Sequence, residues 1–148
     1  MIQRIQSIYL LLIAVFSTLS FFLPMGLYED GSVYSILGIS RLTGEFINSI
    51  PLAAIAGISA LLALIIIFLY KSRMKQLMLC KILFILLFIE LVLLIFVYPD
   101  LIFNTPMGTT PAYSYGIIFP AVSFLLVFMA TRAIRKDEEK VRAVDRIR

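Results

Sequence analysis

The sequence predicts an all-α membrane protein: a four-transmembrane-helix bundle with a small extracytoplasmic β-hairpin loop and a cytoplasmic C-terminal helix. Three observations point there. Of 148 residues, 61% are hydrophobic and only 15% charged, whereas a soluble domain keeps roughly a quarter of its residues charged. The apolar residues fall into four long blocks, and a helix needs roughly 20 of them to cross about 30 Å of hydrocarbon. Twelve of the 13 Lys and Arg residues lie on one side of those blocks, with Arg41 alone on the other. By the positive-inside rule, both termini then face the cytoplasm.

The chain reads as a single integral membrane domain, residues 1–148. Its first span covers residues 8–23, IYLLLIAVFSTLSFFL. Arg4 precedes it, as in a signal peptide, but Phe21, Phe22, Leu23 and Pro24 follow the small cluster Ser17–Ser20 where cleavage needs small residues. It is read as retained. The outer loop 24–50 carries GLYEDGSVYSIL, and Asp30-Gly31 between two β-prone runs is a hairpin turn signal. Such a hairpin is either a lid over helix ends or a docking strand for a partner.

Span two, residues 51–70, has a small-residue face at helical spacing: Ala53, Ala56, Gly57, Ala60 and Ala63. Such a stripe lets a second helix approach closely, from the same bundle or from another chain. The inner loop 71–77 is basic. Span three, residues 78–98, contains KILFILLFIELVLLIFVY, and the outer loop 99–112 holds Pro99, Pro106 and Pro111. Span four covers residues 113–131; Pro120 inside it frees a carbonyl near Gly116, so a kink is expected there. Tyr9, Tyr28, Tyr70, Tyr98, Tyr113 and Tyr115 fall near span ends, where a ring with a polar tip is favoured.

Within span three, fifteen aliphatic or Phe residues surround one carboxyl, Glu90. Those fifteen contribute at most roughly −4 to −9 kcal/mol to insertion, against about +3 kcal/mol for a central acid. The span inserts, but the acid does not face lipid. A carboxylic acid out of contact with water is more stable neutral than charged. The neutral group both donates and accepts, so it needs partners. Counting residues at about 1.5 Å each from the cytoplasmic ends, Ser17 in span one and Ser59 in span two reach nearly the depth of Glu90. Ser123 in span four lies slightly nearer the cytoplasm. These four form a candidate polar layer, open to three readings: a structural hydrogen bond fixing helix register, a proton or cation relay, or a contact with another subunit.

The tail, residues 132–148, continues span four with good helix formers, seven basic and four acidic groups. Arg135, Lys136, Lys140, Arg142, Arg146 and Arg148 are its candidate contacts to a partner or to anionic headgroups. The net charge of +4 is spent on topology, so no nucleic-acid partner is expected.

No His is present and Cys80 is the only Cys, which excludes an imidazole base, an internal disulfide and a thiolate cluster. No phosphate-binding glycine loop or nucleophile elbow occurs. No metal and no cofactor are expected. The outer acids Glu29, Asp30, Glu45 and Asp100, with Arg41, are the remaining groups from which an enzyme site would have to be built, and no spacing among them selects a reaction.

The opening MIQRIQSIYLLL and the closing RAIRKDEEKVRAVDRIR, with four spans between them, resemble a family of small bacterial inner-membrane proteins of unknown function, domain-of-unknown-function family 4293. The resemblance implies a multi-pass protein of the bacterial inner membrane and brings no catalytic residues with it. Small multidrug transporters also combine four spans with a membrane Glu, but theirs lies in the first span, which here has no acid. The leading expectation is a non-enzymatic accessory or scaffold subunit acting through protein–protein contacts, with a membrane-protein partner or a homo-oligomer. The alternative is a small proton-coupled carrier using Glu90.

Overall fold

The computed structural model describes residues 3–27, 31–40, 46–70, 72–98 and 112–145, with side chains for all of these except 3–4, 46–48 and 140–145. Among the described residues four α-helices form: α1 (Gln3–Leu19), α2 (Ile50–Phe68), α3 (Arg73–Val92) and α4 (Ile118–Asp145). A π-helical turn, Leu93–Val97, extends α3, and a 3-10 turn, Tyr115–Ile117, leads into α4.

Each helix buries one seam at alternating steps of four and three. On α2 the buried residues are Leu52, Ala56, Ser59, Ala63 and Ile66; on α3 they are Gln76, Cys80, Leu83, Leu87 and Glu90. On α1 the seam runs Gln6, Leu10, Ile13, Ser17, with Ser20 just past its end, and on α4 it runs Ser123, Val127, Ala130, Ile134. A mean spacing of 3.5 keeps the seam facing its neighbours, the geometry of left-handed bundles. The helices pack in a ring, α1 on α2, α2 on α3, α3 on α4 and α4 on α1.

Three stretches are long and apolar enough to cross a membrane: Ile50–Phe68, Arg73–Val97 and Tyr115–Glu139. The protein is a multi-pass membrane protein. The helix found where the first span was expected, residues 8–23, has other bounds, Gln3–Leu19. It ends at Leu19, where Ser20 Oγ donates to Ser17 O at 2.8 Å, and the apolar stretch Ile5–Leu19 is shorter than the other three. Pro120, where a kink is expected, lies near the start of its helix. Because α4 begins at Ile118, Pro120 sits in its first turn, where a missing amide breaks no helical bond.

The expected hairpin is part of a larger sheet. Five short antiparallel strands, β1 (Gly26–Leu27), β2 (Val33–Ser35), β3 (Gly38–Ser40), β4 (Phe46–Asn48) and β5 (Ala112–Tyr113), lie in the order β4-β3-β2-β1-β5. Gly26 pairs with Tyr34 and Leu27 with Val33, so β1 and β2 form the predicted hairpin. Gly31 takes a positive φ of 77° within that turn, while Asp30 lies outside the described residues. The sheet packs on the helix ends: Tyr34, Ile36 and Ile39 join Met25, Leu52, Ala56, Leu94 and Tyr98 in one buried cluster. Helix ends leave carbonyls without amide partners. At the end of α3, Tyr34 donates to Leu94 O at 3.4 Å and Tyr113 to Ile95 O at 3.1 Å.

Candidate functional site

The bundle has two apolar cores. One lies under the sheet, as described above. The other, nearer the chain termini, joins Leu10, Ile13 and Ala14 of α1, Ala63 and Ile66 of α2, Cys80, Leu83 and Leu87 of α3, and Val127, Ala130 and Ile134 of α4. On every helix a polar residue separates the two. Ser59 stands between Ala56 and Ala63, Glu90 between Leu87 and Leu94, Ser17 between Ala14 and Met25, and Ser123 between Ile117 and Val127. Each takes the seam position that an apolar residue fills one turn above or below.

Cross-helix contacts hold these four residues at neighbouring levels. Beside Ser17, Phe16 meets Phe119 of α4 edge-on, with ring centroids 5.5 Å apart. Phe88, two residues before Glu90, lies 6.1 Å from Phe124, which follows Ser123. A β-carbon at Gly57, two residues before Ser59, would stand 3.9 Å from the ring of Phe21. Fractional exposure is 2% at Ser17, 0% at Ser59 and Ser123, and 1% at Glu90, so the layer has no face on the surrounding medium.

The layer is also unpaired. Ser17 Oγ, Ser59 Oγ, Ser123 Oγ and Glu90 Oε2 are buried without a hydrogen-bond partner in the protein. Helical hydroxyls can bond to the carbonyl one turn back, and neighbouring residues do so: Thr18 donates to Ala14 O and Thr131 to Val127 O, both at 2.8 Å. The three layer serines do not. An unpaired buried hydroxyl costs about 1–3 kcal/mol, and a carboxyl costs more. These four are the buried side-chain oxygens without a partner among the described residues.

The end of the bundle near the termini is tied by polar contacts that the sequence reading missed. Arg73 pairs with Asp137 at 3.3 Å and also donates to its carbonyl at 3.2 Å, joining the start of α3 to the tail. Gln6 Nε2 donates to Ala133 O at 3.1 Å and Gln76 Nε2 to Ile66 O at 2.9 Å. A cavity of about 400 Å³ lies among Gln6, Tyr70, Arg73, Gln76 and Asp137. The hint in the sequence was an amide side chain just before each of two apolar blocks, Gln6 four residues before Leu10 and Gln76 four residues before Cys80.

Of the small-residue face, Ala56 is buried in the core under the sheet, Ala53 packs against that core, and Gly57 lies near Phe21 in the turn after α1. Ala60 is half-buried. On the tail, Arg135 and Lys136 are exposed and line a groove with Phe128, Thr131, Arg132 and Glu139. The side chains of Lys140 and Arg142, and all of Arg146 and Arg148, lie outside the described residues. So do Glu29, Asp30, Arg41, Glu45, Asp100 and the prolines at 99, 106 and 111. Among the described residues, no three His, Cys, Asp or Glu side chains come together as a metal site.

No curated protein and no solved structure matches the chain. Residues 2–147 match the family described as Domain of unknown function (DUF4293), which is nearly the whole length. Four helices packed around a buried seam, three of them long and apolar enough to span a bilayer, are thus the architecture of a DUF4293 protein, and the chain belongs to that family.

Proposed function

We propose that the protein is a non-enzymatic accessory subunit of the bacterial inner membrane, crossing it four times with both termini in the cytoplasm. It acts through contacts between its exposed helix faces and another membrane protein. The observation that carries this reading is the sealing of the polar layer. On one side stand the fully buried Leu83, Leu87, Ala63 and Val127; on the other stand Met25, Leu52, Leu94 and Tyr34. A solute would have to displace one of these packed clusters to pass through the bundle.

The orientation rests on the basic residues, twelve of 13 on one side. The fourth crossing rests on α1: its 17 residues span about 25 Å, and it packs between α2 and α4. Arg132, Arg135 and Lys136, exposed where the apolar part of α4 ends, suit anionic headgroups at about 1 kcal/mol each.

Photo-crosslinking residues placed at Leu61 and Phe96, both 63% exposed on helix faces, test the partner. The expected result in intact cells is one discrete protein adduct of the same identity from a given face. Adducts to lipid alone at both positions would overturn the accessory reading. One observation favours a second reading, a small proton-coupled carrier: the unpartnered Glu90 amid unpartnered serines. Reconstituted vesicles decide between the two. The accessory reading expects no ion flux above that of protein-free vesicles; a flux that Glu90→Gln abolishes would replace it with the carrier.

A further inference from the structure

We propose that Glu90, with the hydroxyls of Ser17, Ser59 and Ser123, forms a binding site for one monovalent alkali cation in the middle of the bundle. Four observations converge on it. Each helix contributes one member, and the aromatic contacts hold the four at neighbouring levels. All four are more than nine-tenths buried, and the named oxygen of each has no partner in the protein. Ser17 and Ser123 forgo the carbonyl bond that Thr18 and Thr131 make on the same two helices, and Ser59 forgoes it on α2. A π-helical turn begins three residues after Glu90, and such turns inside helices recur at functional sites.

The donor set selects the ligand. It consists of oxygen alone, a carboxylate and three hydroxyls, which suits hard cations and not the soft or imidazole-seeking metals. Charge selects the valence. No other acid and no Lys or Arg lies in the interior of any apolar block. A single positive charge therefore neutralises the ionised Glu90, whereas a divalent ion would leave a net charge enclosed between two apolar clusters. With a cation bound, each serine presents lone pairs inward and keeps its proton for a carbonyl or for the carboxylate. The same four oxygens that are costly when unpaired become the coordination sphere. The inference stands apart from the accessory role, since an accessory subunit and a carrier would each use such a site.

The full-length protein in detergent micelles provides the test. Cys80, the only Cys and fully buried in the core near the termini, reacts with a thiol-reactive fluorophore only as the bundle opens, so it reports the unfolding midpoint. Sodium chloride, potassium chloride and N-methylglucamine chloride are compared at equal ionic strength. At saturation, sodium or potassium is expected to raise the midpoint by about 5 °C or more over N-methylglucamine. Glu90→Gln, which keeps the shape and removes the charge, is expected to abolish the difference, and Ser59→Ala to weaken it at least tenfold in cation concentration. Equal midpoints in the three salts overturn the proposal. So does a cation response that survives Glu90→Gln, or stabilisation by acid alone with no dependence on cation.

Discussion

Gly116→Ala is expected to destabilise the protein by about 3 kcal/mol or more and to lower its unfolding midpoint by about 10 °C. Gly116 is the middle residue of the turn before α4, beside the segment where the chain enters β1. A β-carbon there would collide with the carbonyl oxygen of Pro24, and it would stand 2.9 Å from the carbonyl carbon and 3.1 Å from Met25 Sδ. Two of these three atoms are backbone, so no side-chain rotation relieves the contact. That backbone is pinned in turn. Met25 N–H donates to Tyr34 O at 2.7 Å, and Met25 O accepts from Ser114 N–H at 2.9 Å. Moving it loosens β1, β5 and the core under the sheet together. Gly57→Ala is the control. Its new methyl meets only the Phe21 ring at 3.9 Å, an ordinary contact, and alanine gains up to about 1 kcal/mol of helix propensity. Equal midpoints for Gly116→Ala and wild type would mean that the sheet does not rest on the start of α4 as described.

Leu87→Ala is expected to cost about 3 kcal/mol, within the range for a fully buried leucine, and to open the layer from the side near the termini. Leu87 lies one turn before Glu90 on the same seam and is fully buried. Its side chain separates the carboxyl from Leu83 and Cys80 within that core. The truncation leaves a cavity directly beside an unpaired polar atom, a place where water finds partners and stays. Backbone amides around Glu90 should then exchange with deuterium faster in Leu87→Ala than the loss of global stability explains. Leu61→Ala on the 63%-exposed face of α2 should leave both quantities near wild type. If Leu87→Ala costs under about 1 kcal/mol, the cluster does not seal the layer.

That these four polar residues matter was legible because charge and hydroxyl groups are scarce in the apolar blocks: one acid among fifteen aliphatic or Phe residues marks its own position, and Glu90, Ser17, Ser59 and Ser123 are all buried. The seam itself was not legible. A helix that is apolar on every side carries no contrast between inner and outer faces, so nothing in LALIIIF distinguishes buried Ala63 and Ile66 from exposed Leu64 and Ile65. The burial of Tyr34 was not legible either, since a two-stranded hairpin alone does not say which of its faces is covered. That burial depends on the sheet lying over Leu52 and Leu94, a contact across 60 residues between Tyr34 and Leu94. The fifth strand escaped notice for a related reason. Ala112–Tyr113 is two residues long and acquires meaning only from its pairing with Gly26 and Leu27. The helix boundaries at Leu19 and Ile118 moved because local capping, by Ser20 Oγ and by the 3-10 turn at Tyr115–Ile117, outweighed hydropathy in ending and starting the helices.

The arrangement explains why a costly polar level is compatible with a stable bundle. Both neighbouring clusters are built of buried, mostly apolar side chains, and each fully buried Leu or Ile in them stabilises by roughly 1.5–3 kcal/mol. The unpaired oxygens are enclosed by that packing, and lipid never meets them.

The most direct measurement of this enclosure uses cysteine in place of each layer serine, one at a time, in a Cys80→Ala background. Ser17→Cys, Ser59→Cys and Ser123→Cys are close to isosteric, and a membrane-impermeant maleimide can be added from either side of sealed vesicles. An enclosed layer predicts no labelling from either side until the protein is denatured, while Tyr115→Cys, at a position 83% exposed, labels in the folded state. Labelling of any of the three at the rate of position 115, from either side, would contradict it.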